Sequence, residues 1–222
     1  MSNERIKIFT GHFGSGKTEV AVNFALKANT ELKNVAIVDL DIVNPYFRTA
    51  DVKNELEDQG IWVVTPMYAN TNVDVPALPP EMNTLLEKKE YNVILDVGGD
   101  DLGARVLGRY KEDIKNQGYC MYFVVNARRP MTDTDSKLEQ MIYDIESSSG
   151  LKVTKLINNT NLLEQTSVED VVEGHKMIKR VSDKLEIPIA FISGFVDLIG
   201  GVEKEVGSEL FSLKKLIKLP WN

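Results

Sequence analysis

Eight consecutive residues near the start of the sequence have the types and spacing of a phosphate-binding loop. Residues 11 to 18 read Gly-His-Phe-Gly-Ser-Gly-Lys-Thr, which fits the pattern G-x-x-x-x-G-K-[ST]. Gly14 and Gly16 let the backbone curl until successive N–H groups face one point, where an anion can approach them. Lys17 can then reach the β- and γ-phosphates of a nucleotide, and the Thr18 hydroxyl is placed to ligate Mg²⁺. The alternative is a glycine-rich turn that carries Lys-Thr by chance. The residues that we expect to contact the nucleotide are Gly11, Phe13, Gly14, Ser15, Gly16, Lys17, Thr18 and Glu19.

Three aspartates stand at the ends of apolar runs, where an open parallel sheet presents side chains to a ligand. Asp39 and Asp41 end one such run, and we expect at least one of them to face the nucleotide. The alternative is that both cap the loop before the next helix. Asp96 ends a later run and can hold the Mg²⁺ shell through water. The metal ligands that we expect are Thr18, Asp39, Asp41 and Asp96.

The residues after Asp96 complete a D-x-x-G pattern. Gly98 and Gly99 would let the following loop approach the γ-phosphate and move when that phosphate leaves. The pattern is common by itself, but downstream of a phosphate-binding loop it predicts a nucleotide-dependent switch.

Two other stretches each allow two interpretations. Arg128 and Arg129 follow an apolar run, so one of them could reach a phosphate or an acidic substrate, or both could pair with Asp133 and Asp135. The proline-rich connection from Pro66 to Pro80 is either the edge of a substrate or partner site or a plain surface loop.

A third motif bears on the base of the nucleotide. Residues 158 to 161 read Asn-Asn-Thr-Asn, where a guanine-binding relative would carry N-K-x-D. Guanine offers ring N–H and amine donors that a carboxylate accepts well, and Asn161 replaces that carboxylate while Asn159 replaces the lysine. The sequence therefore favours adenine, and Asn158 could accept from its amine and donate to a ring nitrogen.

The elements that must position these residues are strands and helices in alternation. Seven apolar runs have strand length and read as continuously apolar, which is typical of a parallel sheet with helices on both faces. We therefore predict an α/β fold with a mostly parallel sheet of about seven strands in a single nucleotide-binding domain, residues 1–222. The predicted strands are Ile6–Thr10, Val35–Leu40, Ile61–Thr65, Val93–Val97, Met121–Val125, Val153–Ile157 and Ile187–Ile192. The predicted helices are Lys17–Leu32, Phe47–Gln59, Pro80–Lys89, Gly103–Asn116, Thr134–Ser147, Val168–Leu185 and Val202–Ile217.

Composition argues against several classes of protein. The formal net charge of -7 over 222 residues offers no general attraction to nucleic acid or to anionic lipid. A single cysteine, Cys120, and two histidines leave no cluster of zinc type and no cysteine pair for an iron–sulfur centre. No run approaches the length of a membrane span, and the first residues resemble no signal peptide, so we expect a cytoplasmic protein.

The last residues have a separate pattern. Leu210 to Trp221 read as a short basic amphipathic helix, with Leu210, Leu213 and Ile217 on one face. We expect this helix to pack on the last strand, and the less favoured alternative is that it binds a membrane surface.

These motifs together resemble the MinD/ParA/CobQ class of P-loop proteins, part of the SIMIBI class, from Ile6 to Asn158. The resemblance implies a catalytic Lys17, with Asp41, the second carboxylate of D-x-D, contacting the attacking water or Mg²⁺. It also implies that Asp39 takes the first D-x-D position, that Asp96 is the Walker B residue and that Asn158 contacts adenine. Many relatives carry a lysine where this chain has His12, and that lysine reaches across a nucleotide-sandwich homodimer.

Because His12 is a poor substitute for a fixed cation, Arg48 or Arg128 could serve instead. The leading hypothesis is a Mg²⁺-dependent ATPase that switches affinity for an unidentified protein partner. One alternative is an ATP-dependent kinase or ligase whose Arg105 or Arg109 holds an acidic small-molecule acceptor. Another is a sensor that binds ATP without hydrolysing it.

Overall fold

The computed structural model describes residues 3–41, 49–66, 80–99, 101–206 and 208–217. Its centre is one sheet of eight parallel strands in the order β3-β2-β4-β1-β5-β6-β7-β8. The sheet confirms the predicted fold class, and all seven predicted runs form strands. The strands are β1 Ile6–Thr10, β2 Val35–Leu40, β3 Trp62–Val64, β4 Asn92–Val97, β5 Tyr119–Val125, β6 Lys155–Asn158, β7 Ile189–Phe195 and β8 Leu210–Leu213.

Eight helices connect the strands among the described residues. They are α1 Lys17–Glu31, α2 Lys53–Glu57, α3 Glu81–Glu87, α4 Asp101–Arg109, α5 Lys111–Gln117, α6 Asp135–Ser149, α7 Val168–Leu185 and α8 Val196–Val206. The helix predicted over 103–116 is two helices, α4 and α5, separated at Tyr110. The one predicted over 47–59 begins, within the described residues, as a 3-10 turn over Thr49–Val52 that leads into α2.

Both faces of the sheet are covered, which explains why the strands read as continuously apolar. On one face, Ile6 and Ile8 of β1 pack with side chains of α3 to α7. On the other, Phe9 stacks on Tyr122 with ring centroids 4.9 Å apart, and Phe24 of α1 lies over both rings. This two-sided core fixes the carboxyl ends of β1, β2 and β4 relative to one another.

The predicted C-terminal amphipathic helix is wrong. The helix expected from Val202 begins earlier and ends at Val206, and Leu210–Leu213 form β8 beside β7. Phe211 and Leu213 are buried while Ser212 between them is exposed, so the period is two and not 3.6. The rings of Phe211 and Phe191 stack 4.9 Å apart, because β8 completes the aromatic face of the core.

The idea that this segment binds a membrane as a helix loses its basis with that correction. Residues 218–222, which the predicted helix also included, lie outside the described part of the chain. None of the helices in the described residues has both the length and the apolar character needed to cross a membrane.

Candidate functional site

The predicted phosphate-binding loop joins the end of β1 to the start of α1. Gly14 and Gly16 have φ angles of 78° and 80°, in the left-handed region that favours glycine. A Cβ on Gly16 would lie 2.4 Å from the side-chain nitrogen of Asn159, so another residue there would displace the amide that bonds the Ser15 carbonyl oxygen. The N-terminus of α1 has no side-chain cap, which leaves its first N–H groups directed into the loop. The geometry is that of an anion site.

Lys17 lies among carboxylates at the bottom of this loop. Its Nζ is 2.5 Å from Oδ2 of Asp41, and both residues are buried, each with 6% of its surface exposed. Burial alone would lower the pKa of Lys17, but the charges of Asp96, Asp41 and Asp39 outweigh it and raise that pKa. The ammonium is therefore fixed in its charged form, and its present partner is an aspartate.

Asp39 and Asp96 lie side by side, because they are register partners on β2 and β4. Asp39 accepts a hydrogen bond of 3.0 Å from the backbone N–H of Asp41, and Asp96 accepts one of 3.1 Å from the Thr49 hydroxyl. Burial, the Asp96 charge and the Asp41 charge raise the pKa of Asp39 to about 7. Burial also raises the pKa of Asp96, although Lys17 opposes the shift. Two buried carboxylates of like charge side by side destabilise the folded state when both are ionised.

One oxygen of each of these aspartates has no hydrogen-bond partner among the described residues, namely Oδ2 of Asp39 and Oδ1 of Asp96. Ser15 Oγ in the loop is buried and unpartnered in the same way. Buried polar atoms are normally satisfied, so these oxygens fit a ligand that brings positive charge or donors. Oxygen donors suit Mg²⁺, and Thr18, Asp39, Asp41 and Asp96 are the residues that would hold it. The described residues contain no group of three or more His, Cys, Asp or Glu that could hold a metal ion, so Asp39, Asp41 and Asp96 do not form such a group in this structure.

The D-x-x-G loop after β4 touches the phosphate-binding loop directly. A Cβ on Gly99 would lie 1.8 Å from the carbonyl oxygen of Gly11 and 2.9 Å from the backbone nitrogen of His12. Only glycine fits so close an approach of two backbones. Movement of either loop toward the other is therefore blocked by direct backbone contact.

The two arginines after β5 have different environments. Arg128 forms ion pairs with Asp170 at 2.8 Å and Glu173 at 2.5 Å, both on α7, and not with the predicted Asp133 and Asp135. These charge-assisted hydrogen bonds, first that to Glu173, raise the pKa of Arg128. Arg128 is thus directed away from the loop.

Arg129 lies against the phosphate-binding loop. Its Nε donates a hydrogen bond of 3.0 Å to the carbonyl oxygen of Gly14. The turn that carries it is organised by Asn126, a buried residue that none of the sequence motifs indicates. The Asn126 amide nitrogen donates to the carbonyl oxygens of Asn161 and Gly14, at 2.9 and 3.5 Å. An asparagine directly after a buried strand, as at Asn158, was the available sequence signal.

The asparagines at the end of β6 and directly after it form hydrogen bonds within the protein. Asn158 is fully buried, donates to the carbonyl oxygen of Val171 at 3.1 Å and accepts from the backbone N–H of Thr160. Asn159 donates to the carbonyl oxygen of Ser15 at 2.7 Å and so holds the phosphate-binding loop. Asn161 is half-buried beside Gly16, and its amide nitrogen donates to the carbonyl oxygen of Asn159 at 2.8 Å. Of the three, Asn161 is the most exposed.

Glu19 has a structural partner within the chain. Its carboxylate accepts from the backbone N–H groups of Leu216 and Ile217, at 2.8 and 3.2 Å. Asn23, one turn later, accepts from the N–H of Lys214 and donates to its carbonyl oxygen. Burial raises the pKa of Glu19, and these hydrogen bonds oppose the rise. The contacts therefore give Glu19 a role in anchoring the chain's last segment to α1.

Some of the predicted features fall outside the described residues. Arg48 and residues 67–79 of the proline-rich connection are among them. Arg105 and Arg109 are exposed on α4. Phe13 is in the loop and 58% exposed, with its side chain turned to solvent.

No protein-family model matches the chain, and no curated protein matches it in sequence. Its fold is similar to three solved structures of FtsY. That of chloroplast FtsY from Physcomitrella patens has a TM-score of 0.59 and 16% identity, and the match covers 86% of this chain and 59% of that one. FtsY from Mycoplasma mycoides gives 0.52 and 19%, over 87% and 61%. The cell division protein FtsY from Thermotoga maritima gives 0.53 and 20%, over 85% and 60%.

At these identities the likeness shows the fold alone, an α/β fold built on a parallel sheet. It does not show the MinD/ParA/CobQ family that the sequence motifs resemble. The chain spans about three fifths of the length of each of the three FtsY chains.

Proposed function

We propose that this protein binds a nucleoside triphosphate with Mg²⁺ at residues 11–18 and acts as a nucleotide-dependent switch that hydrolyses it, with ATP as the preferred nucleotide. The observation that carries the proposal is the buried contact between Lys17 and Asp41 beside two unpartnered carboxylate oxygens. Such an arrangement is expensive for stability alone, and it is expected where a polyphosphate and a cation complete the site.

Binding would exchange the partner of Lys17. In the structure the ammonium is held by Asp41, and phosphate oxygens in the loop would compete for it with a larger charge. The Asp41 carboxylate would then orient the attacking water, which is the role that the MinD/ParA resemblance implies. Bound Mg²⁺ supplies neutralisation of the β- and γ-phosphate charge. The protein's own contribution is to position the triphosphate and the attacking water, since phosphoryl transfer needs little covalent chemistry from it.

The switch would work through the contact between Gly99 and Gly11. Because the backbones of the two loops already touch, a γ-phosphate that shifts the phosphate-binding loop also shifts the D-x-x-G loop. That loop leads directly into α4, whose outer surface could present the change to a partner. This coupling distinguishes a switch from a simple binding site.

The preference for adenine rests on the residues beside the loop. Neither Asn159 nor Asn161 offers the carboxylate that suits guanine, and Asn161 remains half-exposed. Direct contact of Asn158 with adenine is less well supported than the sequence suggested, because its amide group is buried and already bonded.

Calorimetry with ATP, GTP and ADP in the presence of Mg²⁺ tests the proposal. Lys17→Ala should weaken triphosphate binding markedly while the thermal melt stays cooperative, and Lys33→Ala, an exposed lysine, serves as the matched control. Unchanged ATP affinity in Lys17→Ala would refute the site. GTP binding as tight as ATP binding would refute the base preference alone.

A phosphate-release assay with ATP as the sole substrate separates the functional alternatives. Release by the wild-type protein and none by Lys17→Ala supports the ATPase. Binding without release favours the sensor, and release that begins only when an acidic acceptor is added favours the kinase or ligase.

A further inference from the structure

The phosphate-binding loop has a histidine at its second position, and this histidine supplies no fixed charge. Burial and the neighbouring charge of Arg129 both lower the pKa of His12, so it is neutral near pH 7. Lys17 is the cation at the end of the loop. Among the described residues, Arg129 places a positive charge beside His12 and Gly14.

Arg129 is held against the loop by backbone and side-chain contacts on both sides. Its N–H donates to the carbonyl oxygen of Asn126 at 3.1 Å, and the Thr132 hydroxyl donates to that same oxygen at 2.7 Å, which closes the turn. Nε bonds the carbonyl oxygen of Gly14 at 3.0 Å. A Cβ on Gly14 would lie 2.9 Å from Nε and 3.1 Å from Cζ, so the guanidinium packs on the loop backbone itself.

The two Nη atoms of this guanidinium differ from Nε in their contacts. Among the described residues, neither Nη atom of Arg129 has a hydrogen-bond partner, although the side chain is half-buried. Arg128 next to it is the opposite case, since both of its charge partners lie on α7. A guanidinium that is anchored through Nε and keeps its Nη donors free is suited to bind phosphate oxygens.

We propose that Arg129 neutralises, from within the same chain, the charge that develops on a triphosphate bound at residues 11–18. Hydrolysis then needs no residue from a second copy of the protein. The water oxygen bonds to the γ-phosphorus, the bond from that phosphorus to the β–γ bridging oxygen breaks, and the water's proton goes to solvent. The products are the diphosphate and inorganic phosphate. This role of Arg129 rests on the proposed function.

Three variants test it: Arg129→Ala, Arg129→Lys and, as the matched control, Arg128→Ala. Arg129→Ala should lower kcat about 10²–10³-fold with little change in KM, because the contact strengthens as charge develops. Arg129→Lys should recover part of the loss through its charge. Arg128→Ala should keep wild-type kcat. Trapping of ADP with fluoroaluminate, a mimic of the transferring phosphoryl group, should be lost in Arg129→Ala and kept in Arg128→Ala.

Two measurements show whether Arg129 acts within its own chain. The wild-type rate per molecule should be independent of protein concentration, and a mixture of Arg129→Ala with Lys17→Ala should be no more active than Arg129→Ala alone. A rate that rises with concentration, or activity restored in the mixture, would mean that a second chain supplies the charge and would overturn the proposal.

The failure of this role is distinguishable from the failure of the proposed function. Wild-type kcat and trapping in Arg129→Ala would overturn the role alone, and so would a wild-type protein that binds ATP without turnover or trapping. A wild-type protein that binds no nucleotide would refute both.

Discussion

Replacing Asp39 by asparagine should stabilise the nucleotide-free protein, and the gain should grow as the pH rises. Burial and the charges of Asp96 and Asp41 raise the pKa of Asp39 from 3.8 to about 7 in the folded state. A carboxyl with a raised pKa in the folded state holds its proton there when the unfolded chain has lost it. Ionisation of Asp39 therefore does not lower the free energy of unfolding below about pH 4. That free energy falls as the pH rises from about 4 to about 7.

The size of the effect follows from the shift. At 1.36 kcal/mol per pKa unit, a rise to about 7 corresponds to about 4 kcal/mol lost at high pH, of which about 2–3 kcal/mol is lost between pH 5 and pH 8. Asparagine keeps the acceptor that bonds the Asp41 N–H but cannot ionise. In a protein of this size, the melting temperature of Asp39→Asn minus that of wild type should be about 5–10 °C larger at pH 8 than at pH 5.

The assay is a set of thermal melts from pH 5 to pH 8, without nucleotide or Mg²⁺, for wild type, Asp39→Asn and the exposed control Asp58→Asn. Added Mg²⁺ and ATP should reverse the advantage, because the wild-type carboxylate then gains a cation. A difference between wild type and Asp39→Asn that does not change with pH, or a variant that melts lower throughout, would contradict the electrostatic reasoning.

Three further substitutions probe the site and the core. Asp41→Asn should retain ATP binding while slowing phosphate release, and wild-type rates in single-turnover assays would count against Asp41 as the residue that orients water. Asn159→Ala should leave the Ser15 carbonyl oxygen without its 2.7 Å partner, and we expect about 1–3 kcal/mol lower stability with weaker nucleotide affinity in parallel titrations. Phe211→Ala should cost about 3–5 kcal/mol in denaturant unfolding, because the ring is buried, and a cost near zero would argue against β8 as part of the core.

Local patterns in the sequence were enough to predict most of the elements. The helix predicted over Val168–Leu185 has those bounds in the structure, because Ser167 and Asp170 form a capping box that marks its start. The continuously apolar runs likewise predicted the strands, and Gly-Lys-Thr predicted the turn between β1 and α1. In each case the signal lies within a few residues of the element that it specifies.

The wrong or incomplete predictions depended on partners distant in sequence. Leu210 and Leu213 fit a helical period while Phe211 and Leu213 fit the two-residue period of a strand, and pairing with β7 decided the outcome. Arg128 forms ion pairs with Asp170 and Glu173, more than 40 residues away, and not with the acidic residues close to it in sequence. Glu19 contacts Leu216 and Ile217, which lie 197 and 198 positions later in the chain, and these contacts could not be found from the sequence alone.

The order of the strands also has a consequence for how the chain acquires its site. β1, which leads into the phosphate-binding loop, pairs with β4 and β5, and Ile6 is the register partner of Val93 and Tyr119. The Ser15 carbonyl oxygen is held by Asn159, 144 residues further on. Because such pairings close very long loops, they form late in folding. A chain emerging from the ribosome would thus complete its first motif only after most of the sequence had been synthesised, and until then the loop would lack its fixed shape.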